Sequence, residues 1–227
     1  MTTTNLAQEI STHLASKSLY PSQGWLDGFL TSIRIGTALP ALKSTAQFRI
    51  LASDITQTLD RSVTAAFPPD VLDATKKERI LPDPIPVQVL DVEDIGRSRW
   101  SQVEAIEAAE RGETTKGKEI IRVVQSEEQG ERRDDEAAAS GGPHKVLVQD
   151  VRGSQVYGIE MFPVQGMDLS MGIGSKLLLN NVVLARGVLL LDANSTTVVG
   201  GRIATMHEAW KAGRKARLKK AANEKGV

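Results

Sequence analysis

At Leu81 the spacing of the apolar residues changes. Before it they recur every three or four positions, and after it they fall into short runs broken by turn residues. A chain with that switch has to build a helical part first and a β part second. In "LAQEISTHLASKSL", Leu6, Ile10, His13, Leu14 and Lys17 share helical spacing, and Tyr20-Pro21 ends the segment. "GWLDGFLTSI" carries Trp25, Leu26, Phe29, Leu30 and Ile33 as a stripe wide enough to bury. "LPALKSTAQFRILASDITQTLD" adds Leu42, Phe48, Leu51, Ile55 and Leu59. Two to four short helices around one small core are predicted over residues 1–80, with Pro68-Pro69 closing the unit.

Residues 81–210 read differently. The prolines of "LPDPIPVQVLDVEDI" predict an edge entry into a first strand, because proline cannot donate within a central ladder. "HKVLVQDV", "QVYGIEMFPV", "SKLLLNNVV", "ARGVLLLD" and "TTVVGG" follow, separated by turn-like Arg152-Gly153-Ser154, Gly172-Ile173-Gly174 and Asp192-Ala193-Asn194-Ser195. Short strands at this density predict a small barrel or sandwich. With only 4% aromatic residues, its core has to be aliphatic.

Arg97 to Pro143 interrupts the strand series. "SRWSQVEAIEAAERGE" has helical character, and the stretch after it is rich in charge, Gly and Ala. Eleven acidic and six basic residues lie between Glu104 and Glu136. Insertions of this length inside a domain are functional or disordered, and Gly112, Gly117, Gly130, Gly141 and Gly142 are expected to give it freedom. The tail, residues 211–227, has the opposite sign, with seven basic residues against Glu224.

Chemistry is hard to find. Formal net charge is zero, and the absence of cysteine excludes disulfides, thiolate metal sites and a cysteine nucleophile, which suits a reducing compartment. No basic-then-apolar leader opens the chain, and no apolar run reaches the roughly 18 residues of a membrane span. Gly172-Ile173-Gly174-Ser175-Lys176 resembles a phosphate loop, but a Walker loop needs G-x-x-x-x-G-K-S/T and a helix after it. Here a β-type run follows, so these glycines are expected to make a tight turn, with Lys176 at the strand start facing solvent. His13, His144 and His207 lack metal-ligand spacing and are expected at the surface or as caps. No G-x-S-x-G elbow is present, and no cofactor, metal or catalytic set is expected.

Two interaction candidates remain. Glu119, Ile120, Ile121, Arg122, Val123 and Val124 form an apolar knot within the charged insertion. Leaving those aliphatics in water costs about 25 cal/mol per Å², so they either add a strand to this domain or dock on a partner. The basic residues Lys211, Arg214, Lys215, Arg217, Lys219 and Lys220 are either a solvated helix end or a DNA contact.

Taken as a set, "VQVLDVEDI", "VLVQDVRGSQVYGIEMFPV" and "GSKLLLNNVVLARGVLLLDANSTTVVGG" resemble the RecQ-mediated genome instability protein 1 family in its short, fungal-type form. The most specific piece is Gly174 to Gly201, with "RGVLLL", a polar turn and a "V-x-GG" close. The resemblance implies an α+β chain: a small helical bundle, then a five-stranded OB-fold barrel with a long insertion between its first two strands, at residues 97–143. It implies no catalysis. It implies instead a nuclear subunit of a RecQ helicase–topoisomerase III complex, whose insertion loop reaches the gate of that type IA topoisomerase. Decatenation and dissolution of double Holliday junctions in repair and recombination would be the outcome. Two rival readings stand: a single-strand DNA-binding OB fold using Trp100, Tyr157, Phe162 and Trp210, and a scaffold like Tudor-domain-containing protein 3. The few aromatics disfavour the first, and the long insertion disfavours the second.

Overall fold

The computed structural model describes residues 3–34, 36–116, 119–122 and 142–224. Four helices come first: α1 (Thr3–Ala15), α2 (Gln23–Ser32), α3 (Leu39–Leu51) and α4 (Ile55–Thr58). Local chemistry sets their starts. Ser22 caps α2 by accepting from Trp25 N, Pro40 sits in the first turn of α3, and Asp54 caps α4 by accepting from Thr56 N. Ile10, Leu14, Leu26, Phe29, Ile50, Ile55 and Leu59 bury together as one core. Phe48, expected to bury with them, is 74% exposed.

The β part follows as β1 (Arg79–Leu81), β2 (Ile85–Asp94), α5 (Arg99–Glu110), β3 (Glu113–Lys116), β4 (Glu119–Arg122), β5 (His144–Gln149) and β6 (Gln155–Glu160). It is completed by β7 (Lys176–Leu179), β8 (Val182–Ala185), β9 (Val188–Leu191), β10 (Thr196–Gly200) and α6 (Ala204–Asn223). Eight of the strands make one curled sheet in the order β1-β8-β9-β6-β5-β2-β7-β10. Only the β6–β9 pair is parallel. The sheet therefore has eight segments where five strands were expected. Asn181, at φ 51°, bends the path between β7 and β8, and the turn at 192–195 divides β9 from β10.

The curl has an identifiable source. Ile85–Gln88 of β2 pair with β7, whereas Gln88–Asp94 pair with β5, and the register shifts between Val89 and Asp91. A bulge there bends the strand so that it serves both neighbours. Val87, Val89, Val146, Val148, Leu177, Leu179, Leu189 and Leu191 fill the interior with aliphatic side chains.

Both parts meet at a polar and tightly packed junction. Val151, in the β5–β6 turn, is fully buried within the helical core. Gln88 Oε1 accepts from Ile55 N at 3.0 Å. Asp150, fully buried, accepts from Phe67 N through one oxygen and from Arg152 N and Ser154 N through the other. Gly201, at φ 91°, lies so close to α3 that a Cβ would stand 2.4 Å from Leu51 O.

Gly172 to Lys176 makes the tight turn into β7 that the sequence predicts, and Gly174 takes φ 89° with its N–H donating to Val89 O. The expectation for Lys176 itself is corrected. It does begin β7, but it is 2% exposed, and its Nζ donates to Gly174 O (2.6 Å), Ser53 O (2.7 Å) and Leu51 O (3.1 Å). Its ammonium thus caps the C-terminal end of α3, where a cation is favoured. Burial pushes it down to about 7, against the opposing charge of Asp54.

Candidate partner-binding insertion

The insertion leaves and re-enters the sheet through a pinched neck. Asp94 and His144 pair at the end of the β2–β5 ladder, and Ile95 N donates to Pro143 O at 3.0 Å. Asp94, 1% exposed, accepts from Gly96 N and Arg97 N and pairs with the Arg97 guanidinium at 2.8 Å. A Cβ on Gly142 would stand 2.7 Å from Gly96 Cα. Gly142 is therefore needed for close approach rather than for freedom, a correction to the sequence expectation. Gly112 does take a left-handed φ of 74° in open space just after α5. Gly117, Gly130 and Gly141 lie outside the described residues.

Beyond the neck, Ser98 caps α5 by accepting from Ser101 N. Gln102 is 1% exposed and donates to Asp94 O (2.8 Å) and Arg97 O (3.2 Å), so the first turn of α5 is tied back to the neck. Glu113–Lys116 then pair antiparallel with Glu119–Arg122 in a ladder of their own. Glu119, Ile120, Ile121 and Arg122 thus find a strand partner within the insertion, and neither strand joins the eight-stranded sheet. Val123 and Val124 lie outside the described residues.

The basic residues near the C-terminus are not a tail but the second half of α6, which starts at Ala204 and packs along α5. Trp210 is 8% exposed, with Nε1 donating to Asp91 Oδ1 at 2.5 Å. Arg214 is buried over the Trp210 ring and reaches Gln102 Oε1 at 3.5 Å. Lys215 pairs with Glu110 (2.6 Å) and Glu107 (3.3 Å), and Lys219 pairs with Glu107 (2.6 Å). Arg217 donates to Trp210 O, and Lys211, Arg217 and Lys220 are exposed.

His144 and His207 correct another expectation. His144 is 3% exposed, and its Nδ1 lies 2.6 Å from Glu160 Oε2, which also accepts from His144 N. His207 is 8% exposed, and its Nδ1 accepts from Ile173 N at 3.2 Å. Both are structural ties at the insertion's base and at the start of α6. Among the described residues, no three His, Cys, Asp or Glu side chains are grouped to hold a metal ion. Likewise, no described helix is long and apolar enough to cross a membrane.

The outer face of the sheet adds a feature that period-two alternation foreshadows but that single strands cannot assemble. Ile80, Val183, Leu190 and Ile159 stand side by side across β1, β8, β9 and β6, and the row ends on Lys145 and Glu93. All four apolar side chains are exposed or half-buried. Of the four aromatics considered for base stacking, only Trp210 is buried; Trp100, Tyr157 and Phe162 are 50%, 49% and 68% exposed. Tyr157 carries the Lys145 ammonium 5.1 Å from its ring centroid.

The family described as the RMI1 N-terminal OB-fold domain matches residues 67–214, and that described as the RMI1 N-terminal helical domain matches residues 14–58. A "RecQ-mediated genome instability protein 1" of Schizosaccharomyces pombe is 29% identical over 213 residues, which is 88% of this chain and 89% of that relative.

Proposed function

The chain belongs to the RMI1 family, and on that premise we propose that it is a non-catalytic subunit of a RecQ helicase–topoisomerase III complex, working in the nucleus. The observation that carries this reading is the construction of the insertion. Its root is fixed by the Asp94 neck and by Gln102, α5 leads away from that root, and its hairpin pairs outside the main sheet. A rigid root bearing an independent arm suits a protein that docks with its body and acts with its insertion.

A type IA topoisomerase passes one strand through another while its protein gate is open. A partner that binds the open gate better than the closed one prolongs that state, and only the difference between the two affinities counts. The insertion, with Glu119, Ile120, Ile121, Arg122, Val123 and Val124 as its apolar knot, is the proposed gate contact. Slower closure favours decatenation and the dissolution of double Holliday junctions.

The outer sheet face also favours a protein over DNA as the main partner. Surfaces that bind single strands combine basic grooves with stacked aromatics. Here the Ile80–Ile159 row is aliphatic, and Lys145 is engaged by Glu93 at 2.8 Å. A secondary DNA contact through α6 rests on the exposure of Lys211, Arg217 and Lys220, since Arg214 is buried and Lys215 and Lys219 are half-buried. Lys211→Glu/Lys220→Glu is expected to weaken salt-sensitive binding to single-stranded DNA; unchanged affinity removes that contact.

The primary reading is tested by mixing the full chain with a purified type IA topoisomerase III. Co-elution in gel filtration and faster decatenation of linked DNA rings are expected. Failure to form a complex overturns the reading.

A further inference from the structure

Three of the basic residues of α6 meet α5 in an ordered way. Lys215 reaches Glu107 and Glu110, Lys219 reaches Glu107, and Arg214 meets Gln102, the side chain that holds the neck carbonyls of Asp94 and Arg97. These contacts run from the first turn of α5 to its last. Beneath them, Trp210 is fixed to β2 through Asp91, and Leu218 is buried, so α6 is itself anchored to the body.

We propose that α6 is a positioning strut for the insertion: it fixes the direction in which α5 presents the β3–β4 hairpin, with Lys215 and Lys219 as its charged contacts to Glu107 and Glu110. The opposite charges at these positions of α5 and α6 thereby acquire a cause, attraction between the two helices. Glu107 and Glu110 on α5 face Lys215 and Lys219 on α6. Hydrogen bonds from Lys219 and Lys215 hold the Glu107 carboxylate below its ordinary range, and the hydrogen bond to Glu110 holds Lys215 above its own. Exposed ion pairs of this kind are individually too weak to hold a fold together. Their loss is expected to loosen and misdirect α5 while the rest of the chain stays folded. The effect on topoisomerase stimulation rests on the function proposed above; the effect on α5 does not.

The test is a charge exchange in the full chain. Lys215→Glu/Lys219→Glu and, separately, Glu107→Lys/Glu110→Lys are expected to speed amide hydrogen exchange in α5 by about tenfold or more, as expected when a local opening becomes easier. The fourfold variant carrying both pairs of substitutions is expected to regain most of the protection. Unchanged protection in both reversed variants overturns the strut, and so does loss that the fourfold variant does not repair. Stimulation of topoisomerase III is expected to follow the same pattern, falling in the reversed variants and returning in the exchanged one. If exchange rates follow the pattern and stimulation does not, the strut stands and the gate reading fails. If the intact chain gives no stimulation at all, only the gate reading is lost.

Discussion

Replacing Lys176 with Met is expected to lower the unfolding free energy at pH 7 by about 3 kcal/mol, because the carbonyls of Leu51, Ser53 and Gly174 lose a shared buried donor. Methionine fills much of the same space, so the loss reports the polar contacts rather than a cavity. The pH dependence separates this account from simple packing. Burial lowers the Lys176 ammonium to about 7, whereas an unfolded lysine keeps its ordinary value of about 10.4. Between those values the folded chain holds fewer protons than the unfolded one, so wild-type stability rises with pH, by at most about 1.4 kcal/mol per unit. Below pH 7 both states are protonated, and the cost of burying the charge is present in full. The Met variant lacks this contribution, so its deficit is expected to widen from pH 7 to pH 9. Urea midpoints of both proteins at the two pH values measure it; equal pH slopes would contradict the buried-ammonium account.

Lys176 also shows where the sequence stops being informative. The turn before it is legible, since two glycines ahead of an aliphatic β-type run leave few alternatives. Its carbonyl partners are not, because Leu51 and Ser53 lie more than a hundred positions away and become neighbours only when the helical part docks on the sheet. His144 and His207 were misplaced for the same reason: their partners Glu160 and Ile173 are brought to them by the sheet. Val151 is a sharper instance, a turn residue buried because a second core lies over the turn.

The switch from helical to β spacing was readable because burial on one face imposes the period of each element. Eight strand segments were less readable than five strands, since one chain path interrupted at Asn180-Asn181 keeps its aliphatic character on both sides. In α6 a signal was present and was outweighed by charge. His207, Trp210, Arg214 and Leu218 are spaced as one helical stripe, and all four are buried. That stripe is the mark of a packed helix rather than of a basic tail. The EIIR strand is different again: its apolar content demanded cover, but whether that came from the domain, the insertion or a partner depended on pairing that composition does not encode.

The second large effect is expected from the insertion itself. Its root and its arm are separable, because the neck and α5 are held by Asp94, Gln102 and α6, while β3 pairs with β4 and neither strand joins the eight-stranded sheet. Exchanging residues 113–141 for a short Gly-Ser linker keeps Asp94, Gln102, Gly142 and the Glu107 and Glu110 pairs with Lys215 and Lys219 in place. If the body docks and the arm acts on the gate, the two measured quantities part company. Binding to topoisomerase III is expected to persist, while stimulation of decatenation falls by about tenfold, a coupling of ordinary size between a bound partner and a two-state element.

The most direct measurement is therefore made on one pair of proteins, the intact chain and the 113–141 replacement, each titrated into a purified topoisomerase III with affinity and decatenation rate read from the same samples. Retained binding with a collapse of stimulation is the predicted result. Full stimulation by the protein without its arm would contradict the claim that the insertion controls the gate.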